Sequence, residues 1–219
     1  MRFLCLHGMG TNSKIFELQT AKIRHALEPG NEFVFVNGTV PWDPAPKVKE
    51  IFPEEKEFLR YALEQNVASA LQCYTDLKAF ITTEGPFDGI CGFSEGAGIA
   101  AGLLAAQFKD PYSLFKFKCG IFFSAGPAID MLALEQGEIR VLDLATDGKF
   151  LKLPTAHIWD PEDTVHPGFG RSVKEICDIE MMEEVQHSLG HEVPGRGSSH
   201  AVAECTRSID RTIERANVR

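Results

Sequence analysis

The stretch Gly92-Phe93-Ser94-Glu95-Gly96 sets one hydroxyl between two glycines, directly after a short apolar run. Read as G-x-S-x-G, it is a nucleophile elbow, a sharp strand-to-helix turn that presents the Ser94 hydroxyl for attack on a carbonyl. Two other readings compete for these residues. Gly92, Gly96 and Gly98 could admit a nucleotide phosphate to a helix N-terminus. They could also simply let a helix press against a sheet, a purpose that Gly98, Ala100, Ala101, Gly102 and Ala105 suit. The dinucleotide reading lacks its companions. The first strand ends in Leu6-His7-Gly8-Met9-Gly10 without G-x-G-x-x-G, and the second ends in Asn37-Gly38 rather than in an acid.

The elbow makes further demands. A serine hydroxyl is a poor nucleophile until a base takes its proton, and the base needs a carboxylate to orient it. On an α/β-hydrolase sheet these groups follow in the chain order Ser, Asp or Glu, His. Asp160, Glu162 and Asp163 come directly after the apolar run Thr155-Ala156-His157-Ile158-Trp159, although any one of them also reads as an ordinary turn acid. Further on, His187-Ser188-Leu189-Gly190-His191 sets a histidine just past a glycine, on a loop from which an imidazole can reach over a sheet. A developing oxyanion needs two N–H donors. Glu95, next after the serine, supplies one, and Met9 in the early His7–Gly10 loop is the expected second, with His7 read as a brace for that loop.

Other histidines compete. His200 is a second candidate base, but Ser198-Ser199 reads as a helix cap that puts it in the first turn of the last helix. His187 and His191, four residues apart with Asp163 and His166 elsewhere, are a conceivable metal set. H-E-x-x-H is absent, however, and Gly190 interrupts the helix that such spacing needs. Neither a metal nor a cofactor is expected.

These groups must be positioned by alternating elements. Strands are expected over residues 2–6, 33–36, 89–93, 117–124, 155–159 and 183–187. Helices are expected from the cap Thr11-Asn12-Ser13 onward, with apolar residues Ile15, Leu18, Ala21, Ile23 and Leu27, and over 54–66, 67–83, 96–108, 170–177 and 199–216. Residues 128–153 show no assignable pattern. Residues 38–66 form an excursion carrying Pro41, Pro44, Pro46 and Pro53, expected to lie outside the sheet as a lid or pocket wall. Its Trp42, Phe52, Phe58 and Tyr61 read equally as an acyl-pocket lining and as cover for the sheet, with Trp42 and Phe52 the substrate-binding candidates. Strand–helix alternation implies a mostly parallel α/β sheet with helices on both faces, built as one domain over residues 1–219.

Composition sets the outer limits. The chain has 219 residues, 44% of them apolar and 24% charged, with a net charge of −9. No basic excess exists to neutralise phosphates, which excludes nucleic acid as an expected partner. No run approaches the ~20 apolar residues that span a bilayer, so no membrane partner is expected. The N-terminus lacks the longer apolar region and cleavage site of a signal peptide, which points to a cytoplasmic setting. Six cysteines without a C-x-x-C pair are expected as reduced thiols in the core.

The segments FLCLHGMGTNSKIF, FVFVNG, GPFDGICGFSEGAGIAA, HIWDPEDTVHPG and HSLGHEVP together resemble the fungal serine hydrolase family, over nearly the whole chain. The resemblance implies an α/β-hydrolase with Ser94 as nucleophile, Asp163 as acid and His191 as base. It also implies hydrolysis of an acyl thioester or ester, on the pattern of polyketide-releasing thioesterases, with a small-molecule or carrier-bound acyl substrate and a polyketide synthase acyl carrier domain as partner. A carboxylesterase acting on small free esters is the alternative. One departure stands out: the family pattern has glycine where this chain has Asp160. A carboxylate there would raise a neighbouring pKa or tighten the turn.

Overall fold

The computed structural model describes residues 1–195 and 199–218. It opens with strand β1 (Arg2–Leu6), helix α1 (Ser13–Ala26) and strand β2 (Glu32–Val36). The excursion follows as β3 (Val40–Pro41), α2 (Val48–Ile51) and β4 (Leu59–Arg60). Then come α3 (Val67–Glu84), β5 (Gly89–Phe93), α4 (Glu95–Lys109), β6 (Cys119–Phe123), α5 (Met131–Glu135) and α6 (Leu144–Asp147). The chain finishes with β7 (Thr155–Trp159), α7 (Arg171–Glu175), β8 (Met182–Gln186) and α8 (Ser199–Asn217). The central sheet has the order β2-β1-β5-β6-β7-β8, and all five pairings are parallel.

Successive side chains of a strand point to opposite faces, and this alternation sorts the core into two layers. Leu4, Leu6, Ile90 and Phe122 face the layer that contains α3, α4 and α5. Phe3, Cys5, Cys91, Phe93, Ile121 and Phe123 face α1 and α8. A strand buried on both faces must be apolar at every position, and β5, β6 and β7 are buried throughout. Helix α4 is buried along most of its circumference, so its small residues let it sit close to the sheet. A Cβ at Gly98 would lie 2.6 Å from the Pro127 carbonyl oxygen, so this glycine makes room for the loop after β6 rather than for the sheet itself. All six cysteines are buried free thiols.

Residues 54–66, expected as a helix, are not one. They form a turn-rich path that includes β4, because Leu59 is captured by backbone partners far away in sequence. Gly10 N–H donates to the Leu59 carbonyl, Leu59 N–H donates to the Thr11 carbonyl, and β4 pairs antiparallel with β3. Those ladder bonds, with Phe58, Leu59 and Tyr61 buried, override a glutamate-rich segment's helical bias. The unassigned residues 128–153 contain α5 and α6, and an isolated bridge links Ile129 to Val141. Ser198 lies outside the described residues, while His200 sits in the first turn of α8, largely exposed.

Candidate active site

Parallel strands deliver their loops to one edge, and the site is built there. The register pairs Leu6 with Gly92, which brings the loop after β1 beside the turn after β5. Asp163 follows β7 and His191 follows β8.

The β5–α4 turn is tight enough to dictate its sequence. Ser94 adopts φ 54° and ψ −117°, a conformation side-chain-bearing residues rarely take. Its N–H donates to the Phe123 carbonyl, and its own carbonyl accepts from Ala97, Gly98 and Gly126. A Cβ at Gly92 would lie 2.6 Å from the Ala97 backbone, and one at Gly96 would lie 2.4 Å from the Leu6 and His7 carbonyl oxygens. Both flanking glycines are therefore needed to close the elbow.

Three side chains from distant parts of the chain then form one line. Ser94 Oγ lies 2.8 Å from His191 Nε2, and His191 Nδ1 lies 2.6 Å from Asp163 Oδ2. A carboxylate can only accept, so the ring donates from Nδ1 and presents Nε2 as acceptor to the serine. The other Asp163 oxygen accepts from the Val165 and His166 N–H groups at 2.8 and 3.1 Å. Burial alone would raise the Asp163 pKa, but these N–H groups and the His191 ring hold it below the ordinary value. Burial lowers the His191 pKa; the hydrogen bond and charge of Asp163 oppose this, and His166 adds to it.

Asp160 tightens the turn, which answers one of the two possibilities raised by its presence. One oxygen accepts from Glu162 N–H at 2.8 Å, and the other accepts from Gly190 N–H at 2.6 Å. It thus ties the loop of Asp163 to the loop of His191. His7 is the brace it was read to be. It is fully buried, donates from Nδ1 to the Gly8 carbonyl at 2.8 Å, and accepts from Gly38 N–H at Nε2. Burial brings its pKa down to about 4, so the ring stays neutral.

Glu95 opens α4, so its N–H has no intrahelical acceptor. Its carboxylate accepts from Arg60 Nε and Nη2 and from Tyr61 N–H, each at 3.1 Å. Arg60 also lies over the Trp42 ring, 4.4 Å from its centroid. The excursion is thereby fastened to the elbow. Tyr61 and Phe58 belong to the buried packing, and the Tyr61 hydroxyl donates to the Val36 carbonyl.

Two cavities open on Ser94. One, of about 340 Å³, is lined by Met9, Trp42, Phe52, Leu18 and His191. The other, of about 360 Å³, is lined by Met9, Glu95, Ile99, Ile129, Met131 and Ile139. Trp42 and Phe52 therefore line a cavity that reaches Ser94. The aromatic enclosure of His191 was not foreseen: Phe93, His166 and Phe169 have ring centroids 5.0, 4.5 and 5.8 Å from its own. The run His166-Pro167-Gly168-Phe169 was a signal only in that two rings sit close to the acid.

Residues 1–201 match the family model described as serine hydrolase (FSH1). The chain belongs to the FSH1 serine hydrolase family. Among relatives of this FSH1 chain, an esterase named FPY3 from Fusarium mangiferae is 37% identical over 99% of this chain and 98% of its own. A thioesterase named FSL2 from Gibberella zeae is 28% identical over 94% of this chain and 90% of its own. Among solved structures, SOBER1 from Arabidopsis thaliana superposes with a TM-score of 0.58 at 16% identity, covering 97% of this chain and 99% of that one. Esterase PE8 superposes with a TM-score of 0.59 at 20% identity, covering 96% and 92%. These likenesses place the FSH1 chain in the α/β-hydrolase fold, and its family makes it an ester-cleaving hydrolase. Among the described residues no helix is long and apolar enough to cross a membrane.

Proposed function

We propose that this enzyme cleaves an acyl thioester through an acyl-enzyme on Ser94, with His191 as the proton shuttle and Asp163 as its orienting carboxylate. The observation that carries this reading is the hydrogen-bonded line from Ser94 through His191 to Asp163, at 2.8 and 2.6 Å. Ser94 Oγ attacks the carbonyl carbon while its proton passes to His191 Nε2. That proton then goes to the departing thiolate sulfur as the carbon–sulfur bond breaks, and water repeats the sequence to release the acid. The N–H groups of Met9 and Glu95 are the proposed donors to the oxyanion, each worth roughly 3 kcal/mol in the transition state. The positive end of α4 supports the same charge.

A role in polyketide or other secondary metabolism, with the acyl group presented by an acyl carrier domain, is supported by the family resemblance and by the thioesterase-named relative. A carboxylesterase of small free esters is the second reading, supported by the 37% identical relative called an esterase. Labelling with a fluorophosphonate, followed by peptide mapping, tests the nucleophile. The adduct is expected on Ser94, and Ser94→Ala is expected to lower kcat by a factor on the order of 10⁴ or more. An adduct on Ser124 or Ser188 would refute the assignment. Measuring kcat/KM for matched thioesters and oxygen esters separates the two readings, since a preference for short oxygen esters selects the carboxylesterase.

A further inference from the structure

We propose that the acyl chain occupies the cavity beside α4 and residues 126–141, and that the cleft of Trp42 and Phe52 receives the leaving group. This rests on the acyl-transfer reading of Ser94. The tetrahedral carbon carries four substituents: Ser94 Oγ, the oxyanion, the leaving group and the acyl chain. The oxyanion lies between the Met9 and Glu95 N–H groups, and Met9 lines both cavities. The departing atom takes its proton from His191 Nε2 and must therefore lie on the His191 side. Of these two cavities, among the described residues, the cleft with Trp42 and Phe52 is the one lined by His191. The remaining substituent is directed to the other side of Ser94, into the second cavity.

The chemistry of the two linings agrees with that division. The second cavity presents Ile99, Ile129, Met131, Leu134 and Ile139, and its carboxylates Glu64 and Glu95 both pair with Arg60. Its 360 Å³ corresponds to roughly a dozen water-sized groups, enough for a medium-length apolar acyl chain. The Trp42 cleft mixes its aromatic rings with Gln19, Asp43 and Lys47, a lining suited to the polar remainder of a thiol or alcohol.

Acylation and deacylation separate the two roles, because the leaving group has departed before deacylation begins. Para-nitrophenyl and naphthyl esters of acetate, butyrate and octanoate serve as probes, with stopped-flow resolution of the burst and the following steady phase. Ile99→Trp, on the α4 wall of the second cavity, is expected to lower both rate constants by more than tenfold for octanoyl, and progressively less for butyryl and acetyl. Val141→Trp at the exposed mouth of that cavity serves as the second filling variant, should Ile99→Trp fold poorly. Phe52→Ala, in the same cleft as Trp42 and away from the Arg60–Glu95 pair, is expected to change the acylation constant severalfold, differently for the two leaving groups, with the octanoyl deacylation constant moving less than twofold. The proposal is overturned if Phe52→Ala alters octanoyl deacylation, or if both filling variants leave the length dependence intact. Absence of any burst and of fluorophosphonate labelling in the unaltered enzyme would instead mark failure of the acyl-enzyme reading itself.

Discussion

Asp160 and Asp163, three residues apart on one loop, hold different partners and so make separable predictions. Asp163 accepts from the His191 ring, so Asp163→Asn removes the acceptor that sets the tautomer, and kcat is expected to fall on the order of 10⁴-fold. Asp160 touches no reacting group and acts through Gly190 N–H, which makes it a positioning residue. Asp160→Ala is expected to lower kcat by up to about 10²-fold through displacement of His191, with Asp160→Asn recovering part of the loss through its remaining carbonyl. Kinetics of the three variants on one thioester check the order, and equal losses at both positions would contradict it. As the proposed base, His191 must be neutral to accept the serine proton, and burial holds its pKa below the ordinary value of about 6.5. The kcat/KM profile is therefore expected to fall on acidification with an inflection below that value and to be level at neutral pH. An inflection above 7 would show that Asp163 outweighs burial.

At the scale of elements, the wall of the second cavity is held by charge. Lys109 of α4 and Arg140 both pair with Asp130, the N-cap of α5, and with Asp147, the last residue of α6. Arg140 and then Lys109 hold the Asp147 carboxyl well below the usual carboxylate range, and the same cations outweigh burial to hold Asp130 low. A carboxyl depressed in the folded state stabilises the fold at neutral pH, and that contribution is lost as pH falls through the folded value. Asp147→Asn is therefore expected to be less stable than the unaltered protein at pH 7 and to lose less stability on acidification below about 4. Urea unfolding across that range measures both slopes, and parallel curves would remove the quartet from the account. The quartet also explains why residues 128–153 were illegible. Their order depends on an ion network reaching to α4, which no local periodicity records, just as β4 depends on backbone bonds to Gly10 and Thr11. The buried strands, by contrast, were readable because a two-faced strand must be apolar throughout. The Ser94–Asp163–His191 set could be read because chain order and loop position constrain it. The division between two cavities could not, because residues from many separate parts of the chain form it.

Across the whole molecule, the parallel sheet places every site loop at one edge and encloses the cysteines. Burial pushes the thiols of Cys73, Cys119, Cys177 and Cys205 up to about 12, and Cys5 is raised as well. A thiol that is both buried and protonated is a poor nucleophile. In native buffer at pH 8, Ellman's reagent is expected to react with essentially none of the six, and with all six after denaturation. Reducing agent is expected to leave the melting temperature unchanged. Rapid modification of a native thiol would show that one of the two core layers opens readily.

The backbone at Ser94 has an evolutionary consequence. Its φ of 54° suits glycine, and holding a serine there costs on the order of 1 kcal/mol. Mutation to glycine would relieve that cost and, in the same event, remove the proposed nucleophile. Stability and turnover therefore pull in opposite directions at this codon. In a lineage that no longer needed the reaction, selection for folding alone would favour losing Ser94, and such descendants would keep the sheet, the loops and both cavities around an inert turn.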